Sequence, residues 1–288
     1  MDFELNTPRT DELGDAVAAL RSWQSDDAPL QLHPGDLGWY WQLGVEKTAA
    51  SVRIWRRDGE IAAVGFLDGP DVLRLTTAPD LLHDEALARR IAADLDDPER
   101  GVLPAGKVNA EVPNGAALHE QLAETGWDTD EAWTPLRRDL TAPVEDSGLR
   151  IAVVGPEQAE LRAALQRSAF EGSTFSVERW QAMASGPAYA DARCLIGFDE
   201  NGDAVATATV WSAGPGRPGL IEPMGVHADH RGRGHGKAIC VAAAAVLQEL
   251  GSSSVMVCTP SSLTGAVATY RSAGFAPLPE RFDRHRAA

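Results

Sequence analysis

Three glycines and three fixed positive charges fall within seven residues, Arg231-Gly232-Arg233-Gly234-His235-Gly236-Lys237. The segment follows an apolar run, Leu220 to Val226, and opens an Ala-rich stretch, Ala238 to Leu250. Strand, glycine loop and helix in that order form a holder for phosphate. Without Cβ atoms several N–H groups can turn toward one anion, and the helix start adds its partial positive charge. The loop does not fit the commoner phosphate binders. A Walker loop needs Gly where Arg231 stands and Ser or Thr where Ala238 stands. The dinucleotide fingerprint needs a third Gly at Lys237. An Arg-Gly tail of the kind that binds RNA is argued against by the ordered patterns on both sides.

The spacing Arg-x-x-Gly-x-Gly after a strand resembles the acyl-CoA pyrophosphate loop of the GCN5-related N-acetyltransferase (GNAT) superfamily. The likeness continues downstream through Val255-Met256-Val257-Cys258-Thr259, the helical segment Ser262 to Ser272, and Gly274-Phe275. In that superfamily a fifth strand diverges from the fourth and pantetheine enters the gap. The next helix carries an Ala, a Tyr four residues on, and a closing Gly-Phe, here Ala266, Tyr270 and Gly274-Phe275. Gly274 is also a sound helix C-cap in its own right. An Asn common at the start of that helix is replaced here by Ser262, Leu263 and Thr264. The resemblance covers about residues 148–288. It implies that Met224, Gly225, Val226, Arg231, Gly232, Arg233, Gly234, His235, Gly236, Lys237 and Ser262 contact acetyl-CoA, used as a co-substrate.

Acetyl transfer from a thioester to an amine has three requirements. The ammonium must lose a proton, the carbonyl must be polarised, and the thiolate leaves more readily with a proton. Glu222 is the candidate general base, since strand alternation directs it and Met224 to one side of the sheet. Partial burial would raise its pKa toward a useful range. Tyr270 matches the family's general acid, which donates toward the sulfur. Backbone amides near Met224–Val226 would polarise the carbonyl, as a distorted fourth strand does in the family. His230 and His235 flank the phosphates or solvent, and His227 is an outside candidate for a proton relay. Cys258 lacks a His partner, so the transfer is expected to be direct, in a ternary complex. A structural acid at Glu222 and a packing aromatic at Tyr270 are the bland alternatives.

These residues need elements to position them, and the chain carries such elements twice. Gly126-Trp127 matches Gly274-Phe275 at an offset of 148 residues, and Leu73 to Asp80 aligns with Glu222 to Asp229 at an offset of 149. A period this long is a domain duplication. In the first copy Gly232, Gly234 and Gly236 become His83, Glu85 and Leu87, and Arg231 and Lys237 become Leu82 and Ala88. Bulky and acidic residues stand where phosphate would sit, so this copy is expected to keep the fold without binding acyl-CoA. The expected class is α/β (α+β): two tandem acetyltransferase-fold domains, residues 1–142 and 148–288, each a mixed sheet flanked by helices. The layout is similar to that of mycothiol synthase, where only the second copy is catalytic, but no residue points to that acceptor. Asp58-Gly59 and Asn201-Gly202 mark hairpins. With few residues after Phe275, the final hairpin of the second domain is expected to be short or incomplete. The cluster Trp39-Tyr40-Trp41 reads as core or domain interface, or as a wall for a cation.

Composition narrows the partners. The net charge is −16. Residues 1–148 hold 13 Lys and Arg against 29 Asp and Glu, and residues 149–288 hold 13 of each. The whole imbalance therefore sits in the first half, which disfavours nucleic acid and suits either a cationic amine or a solvated acidic surface. Three cysteines with no Cys-x-x-Cys, and seven histidines with no helical His pair, give no disulfide or metal pattern. No signal-like N-terminus or membrane-length apolar run occurs. A cytoplasmic N-acetyltransferase is expected, monomeric or homodimeric, acting on a primary amine of a small molecule or peptide. The alternatives are a non-catalytic acyl-CoA sensor or scaffold, or transfer of a longer acyl chain.

Overall fold

The computed structural model describes residues 3–287. The first half runs β1 (Glu4–Asn6), α1 (Leu13–Trp23), α2 (Pro34–Tyr40), α3 (Val45–Ser51), β2 (Val52–Arg57), β3 (Glu60–Leu67), β4 (Val72–Thr77), α4 (Glu85–Asp96), β5 (Val108–Glu111), α5 (Ala117–Glu124) and β6 (Asp128–Asp139). The second half repeats the order: β7 (Arg150–Val153), α6 (Ala159–Ala169), α7 (Val177–Ala184), β8 (Ala192–Phe198), β9 (Ala204–Trp211), β10 (Gly219–Val226), α8 (His235–Glu249), β11 (Ser254–Pro260), α9 (Thr264–Ser272), β12 (Ala276–Pro277) and β13 (Arg281–Arg286). Meanders of antiparallel strands lead into one parallel step in each half, β4 to β5 and β10 to β11. A helix crosses over at each step, α4 or α8, as a parallel connection demands.

The strands of both halves form one sheet in the order β1-β2-β3-β4-β5-β13-β6-β11-β10-β9-β8-β7. The last strands are exchanged. β6, from the first half, pairs with β11 from Ser254↔Asp139 to Pro260↔Trp133, and β13, from the second half, pairs with β5 and β6. The short final hairpin is met only in the two-residue β12. β13 is six residues long and completes the other half's sheet.

Why α2 forms is local. Pro34 opens it, Asp36 Oδ2 accepts from His33 N at 2.6 Å, and His33 Nδ1 accepts from Gly35 N at 2.9 Å, closing the first turn from both sides. His33 Nε2 then donates to Pro218 O at 3.2 Å, and burial pushes the imidazole pKa down to about 4, which keeps it neutral. A Cβ at Gly35 or Gly38 would stand 2.4 Å from the Trp211 side chain. The two glycines thus let α2 lie directly on the indole of β9, across the two halves. Trp41 is buried and Trp39 stacks on Phe175 at 5.3 Å, so this tryptophan cluster belongs to the interface. One apolar core runs from Leu13 and Trp55 in the first half to Phe175, Trp180 and Trp211 in the second, and a separate core lies beneath α8.

Candidate active site

β10 and β11 pair only at Gly219↔Val255 and Leu220↔Met256, and then part. β11 spends its length on β6 instead. The wedge begins beside Glu222, where β10 also slips its register on β9 between Ile221 and Met224. Trp211 Nε1 donates to Glu222 O at 2.7 Å and fixes the slipped segment. β4 pairs with β3 without any such slip, so the distortion belongs to the second copy.

On one side of the wedge a groove of about 470 Å³ runs between Phe170, Met224–Val226, the loop at 231–237, and Gly265, Ala266, Thr269 and Ser272 of α9. Gly232 and Gly234 adopt φ of 74° and 86°, the left-handed region open to glycine. A Cβ at Gly236 would lie 3.0 Å from Thr269 Cγ2 and crowd the groove. The N–H groups of residues 232–237 donate to no acceptor among the described residues, and the helical ladder starts only with Ala238 N to Gly234 O at 3.1 Å. Those unused donors at a helix N-terminus suit a diphosphate.

The first copy differs at the same place. Asp84 Oδ1 accepts from Ala86 N and Leu87 N, both at 2.9 Å, so a side-chain carboxylate occupies the amides of α4. Leu81, Leu82, Leu87 and Leu118 fill the corresponding groove, leaving a cavity of about 10 Å³.

On the other side of the wedge lies a cavity of about 290 Å³, lined from both halves. Met224 and Phe170 border both spaces. Glu222, Tyr270 and Cys258 face the cavity from the second half, with Asp36, Asp68, Arg74, Glu111 and Trp133 from the first, and Arg281 from β13. Arg74 is the hub: its nitrogens lie 2.8 Å from Asp36, 3.0 Å from Glu111 and 3.6 Å from Asp68. Arg281 pairs with Glu111 and Asp283, each at 3.2 Å. Burial and the adjacent Asp36 carboxyl raise the Glu222 pKa well above the ordinary carboxylate value, against the pull of Arg74. Tyr270 is 9% exposed, and burial raises its pKa too, so the phenol keeps its proton. Burial pushes the Cys258 thiol up to about 11, which leaves it a poor nucleophile near neutral pH.

Of the residues singled out in the sequence, Glu222 and Tyr270 line the cavity, Met224 lines both spaces, and Gly225, Val226, Arg231, Gly232, Gly234, His235, Gly236 and Lys237 line the groove. Two do not. Ser262 is exposed at the start of the turn before α9 and lies outside the groove lining, because the helix begins only at Thr264. Arg233 turns to the far side of the loop, toward a separate cleft with Glu145, Asp146 and Asp199. The Arg231 guanidinium is partly committed, donating to Ala169 O at 2.8 Å and tying the loop to the end of α6. His227 accepts from Asp229 N at 3.3 Å and lines neither space.

The five charged residues added to the site, Asp36, Asp68, Arg74, Glu111 and Arg281, come from separate elements. For Arg74 and Glu111 the signal was a charge inside an apolar strand, Val72-Leu-Arg74-Leu and Val108-Asn-Ala-Glu111-Val; Asp36, Asp68 and Arg281 carried none. The fold also gathers Asp199, His230 and His235, whose potential ligand atoms lie within 4.8 Å of one another, a grouping that no sequence spacing displayed.

Residues 159–275 match the model of the Acetyltransferase (GNAT) family. No curated protein matches the chain. Among solved structures, a GCN5-related N-acetyltransferase from Sphaerobacter thermophilus is 20% identical with a TM-score of 0.58, over 99% of this chain and 95% of that one. A tandem GNAT protein from the clavulanic acid biosynthesis pathway is 15% identical with a TM-score of 0.62, over 99% and 98%. A GNAT-family acetyltransferase from Colwellia psychrerythraea is 13% identical with a TM-score of 0.62, over the whole of both chains. At these identities the likeness is one of fold, and it extends over both halves. No helix among the described residues is long and apolar enough to cross a membrane.

Proposed function

We propose that the second half of this chain, whose residues 159–275 match the GNAT family model, acetylates a primary amine held between the two halves. Bound acetyl-CoA supplies an activated acetyl thioester. The loop N–H groups of residues 232–237, with Lys237, would hold its diphosphate. The division near residues 142–148 assigns one donor site to the second domain. The first domain, its groove filled by leucines and its amides taken by Asp84, supplies acceptor-side walls instead.

Glu222 takes the proton that the acceptor ammonium must lose. Its raised pKa brings it closer to the amine and makes the transfer less uphill. The freed nitrogen attacks the carbonyl carbon, the new C–N bond replaces C–S, and the Tyr270 hydroxyl gives its proton to the departing sulfur; the second proton, shed by the nitrogen as the amide forms, restores the Tyr270 phenol, and Glu222 releases its own to solvent. Backbone N–H groups of the slipped β10 segment would stabilise charge on the carbonyl oxygen. The products are the N-acetylated amine and the free thiol. With Cys258 protonated, an acyl-cysteine route has no support.

One observation carries the reading. The phosphate-type groove and the acid-lined cavity meet at Met224 and Phe170, with Glu222 and Tyr270 at the cavity side of the junction. The test is calorimetry with acetyl-CoA alongside thiol release with a panel of amines. The Tyr270→Phe variant is expected to bind acetyl-CoA as the parent does while turnover falls about a hundredfold or more. Unchanged turnover would remove Tyr270 from the mechanism. Acetyl-CoA uptake without turnover of any amine would favour a sensor.

A further inference from the structure

The charges around the acceptor cavity do not balance, and the imbalance has a location. Five carboxyls, those of Asp36, Asp68, Glu111, Glu222 and Asp283, stand on or directly behind its wall, against the guanidinium groups of Arg74 and Arg281 alone. Both guanidinium groups are already shared. Arg74 serves Asp36 and Glu111 at hydrogen-bonding range, and Arg281 serves Glu111 and Asp283. Two acids are left without a full cationic partner. Glu222 stands deep, at the parting of β10 and β11, where the Asp36 carboxyl from the first half opposes its ionisation more than Arg74 favours it. Asp68 stands at the mouth, its side chain 48% exposed and its one cation, Arg74, 3.6 Å away. Asp36, 2% exposed, makes no hydrogen bond through Oδ1 beyond its 2.8 Å ion pair with Arg74, so it leaves Arg74 little to offer Asp68. Uncompensated acids in a desolvated wall call for positive charge from outside the protein.

We propose that the acceptor is a compact aliphatic diamine, whose reacting nitrogen meets Glu222 and whose second, still protonated amine pairs with Asp68. This rests on the acyl-transfer reading above and specifies its substrate class. The reacting amine gives its proton to Glu222 before attack, so it cannot also balance the site. The second ammonium remains charged throughout and supplies what the mouth lacks. Trp133, Phe170 and the Tyr270 ring offer apolar surface for the methylene chain between them. A cavity of about 290 Å³ sits at the bottom of the range for small-molecule pockets, which suits a short chain better than an oligosaccharide.

The experiment compares α,ω-diamines of increasing length with the amino alcohols of equal length, which keep one amine and replace the other by a neutral hydroxyl. In thiol-release kinetics, kcat/KM for the best diamine should exceed that of its amino alcohol by about tenfold, chiefly through KM. In the D68N variant that ratio should collapse toward unity. Equal kcat/KM for the two compounds in the parent enzyme, or an undiminished ratio in a folded D68N variant, overturns the proposal. Calorimetry of the same compounds with the parent protein provides a second arm independent of turnover. If no amine is acetylated, the acyl-transfer reading fails on the kinetic arm. The binding arm still decides this one, since a diamine that binds no better than its amino alcohol refutes it.

Discussion

Asp283→Asn tests the electrostatics of the acceptor cavity without touching its surface. Asp283 lies on β13 behind Arg281, with its side chain 7% exposed. Burial is the main cause that lifts its pKa from 3.8 to about 7, with Glu111 and Asp130 adding to the rise and Arg281 opposing it. The folded-state value lies above the unfolded one, so protonation favours the folded chain. That contribution is complete below the unfolded value and disappears as pH rises through about 7. A shift of this size corresponds to about 4 kcal/mol over the full range, of which roughly 2–3 kcal/mol falls between pH 5 and pH 9. Asparagine is neutral throughout and mimics the protonated acid. The variant should match the parent only near pH 3, exceed it by roughly 1–2 kcal/mol at pH 5 and by about 4 kcal/mol at pH 9 in urea unfolding, with equal m-values. Parallel stability curves between pH 5 and pH 9 would mean that Asp283 is ionised at both ends. The burial of its carboxyl would then be fully offset by Arg281, and the pH dependence assigned to Asp283 would be wrong.

Three further outcomes follow from the same geometry. Glu222→Gln should lower kcat by about a hundredfold or more and abolish the limb of the pH–rate profile that rises as the parent's raised carboxyl ionises; steady-state kinetics across pH checks both. Gly38→Ala places a Cβ 2.4 Å from Trp211 Cζ3, and should destabilise the fold by about 1–3 kcal/mol in chemical unfolding while raising acceptor KM, because α2 carries Asp36. Asp84→Ala removes the cap of α4 at a cost of about 1 kcal/mol, and calorimetry should still detect a single acetyl-CoA site, because leucines fill the first groove.

The glycine loop, Glu222, Tyr270 and the duplicated order of elements were legible because each is local. A loop between strand and helix, or a Gly-aromatic pair repeated at a fixed offset, needs no knowledge of what lies across the sheet. The acceptor side was not legible for the opposite reason. α2 is seven residues long with two internal glycines, a poor helix by propensity, and it forms where Trp211 offers a flat face. Asp68, Arg74, Glu111 and Arg281 lie in four separate places, and only the exchange of β6 and β13 draws them around one cavity. Ser262 and Arg233 line neither space: the helix starts at Thr264 and leaves Ser262 in the preceding turn, and Arg233 borders a separate cleft.

Because each half lends its closing strand to the other, neither is a self-sufficient module. A gene segment encoding residues 148–288 alone would specify a sheet whose β11 edge is bare, with an orphan ribbon, β13, that has lost both neighbours. The second half therefore cannot shed the first, because each sheet is finished by the other's strand.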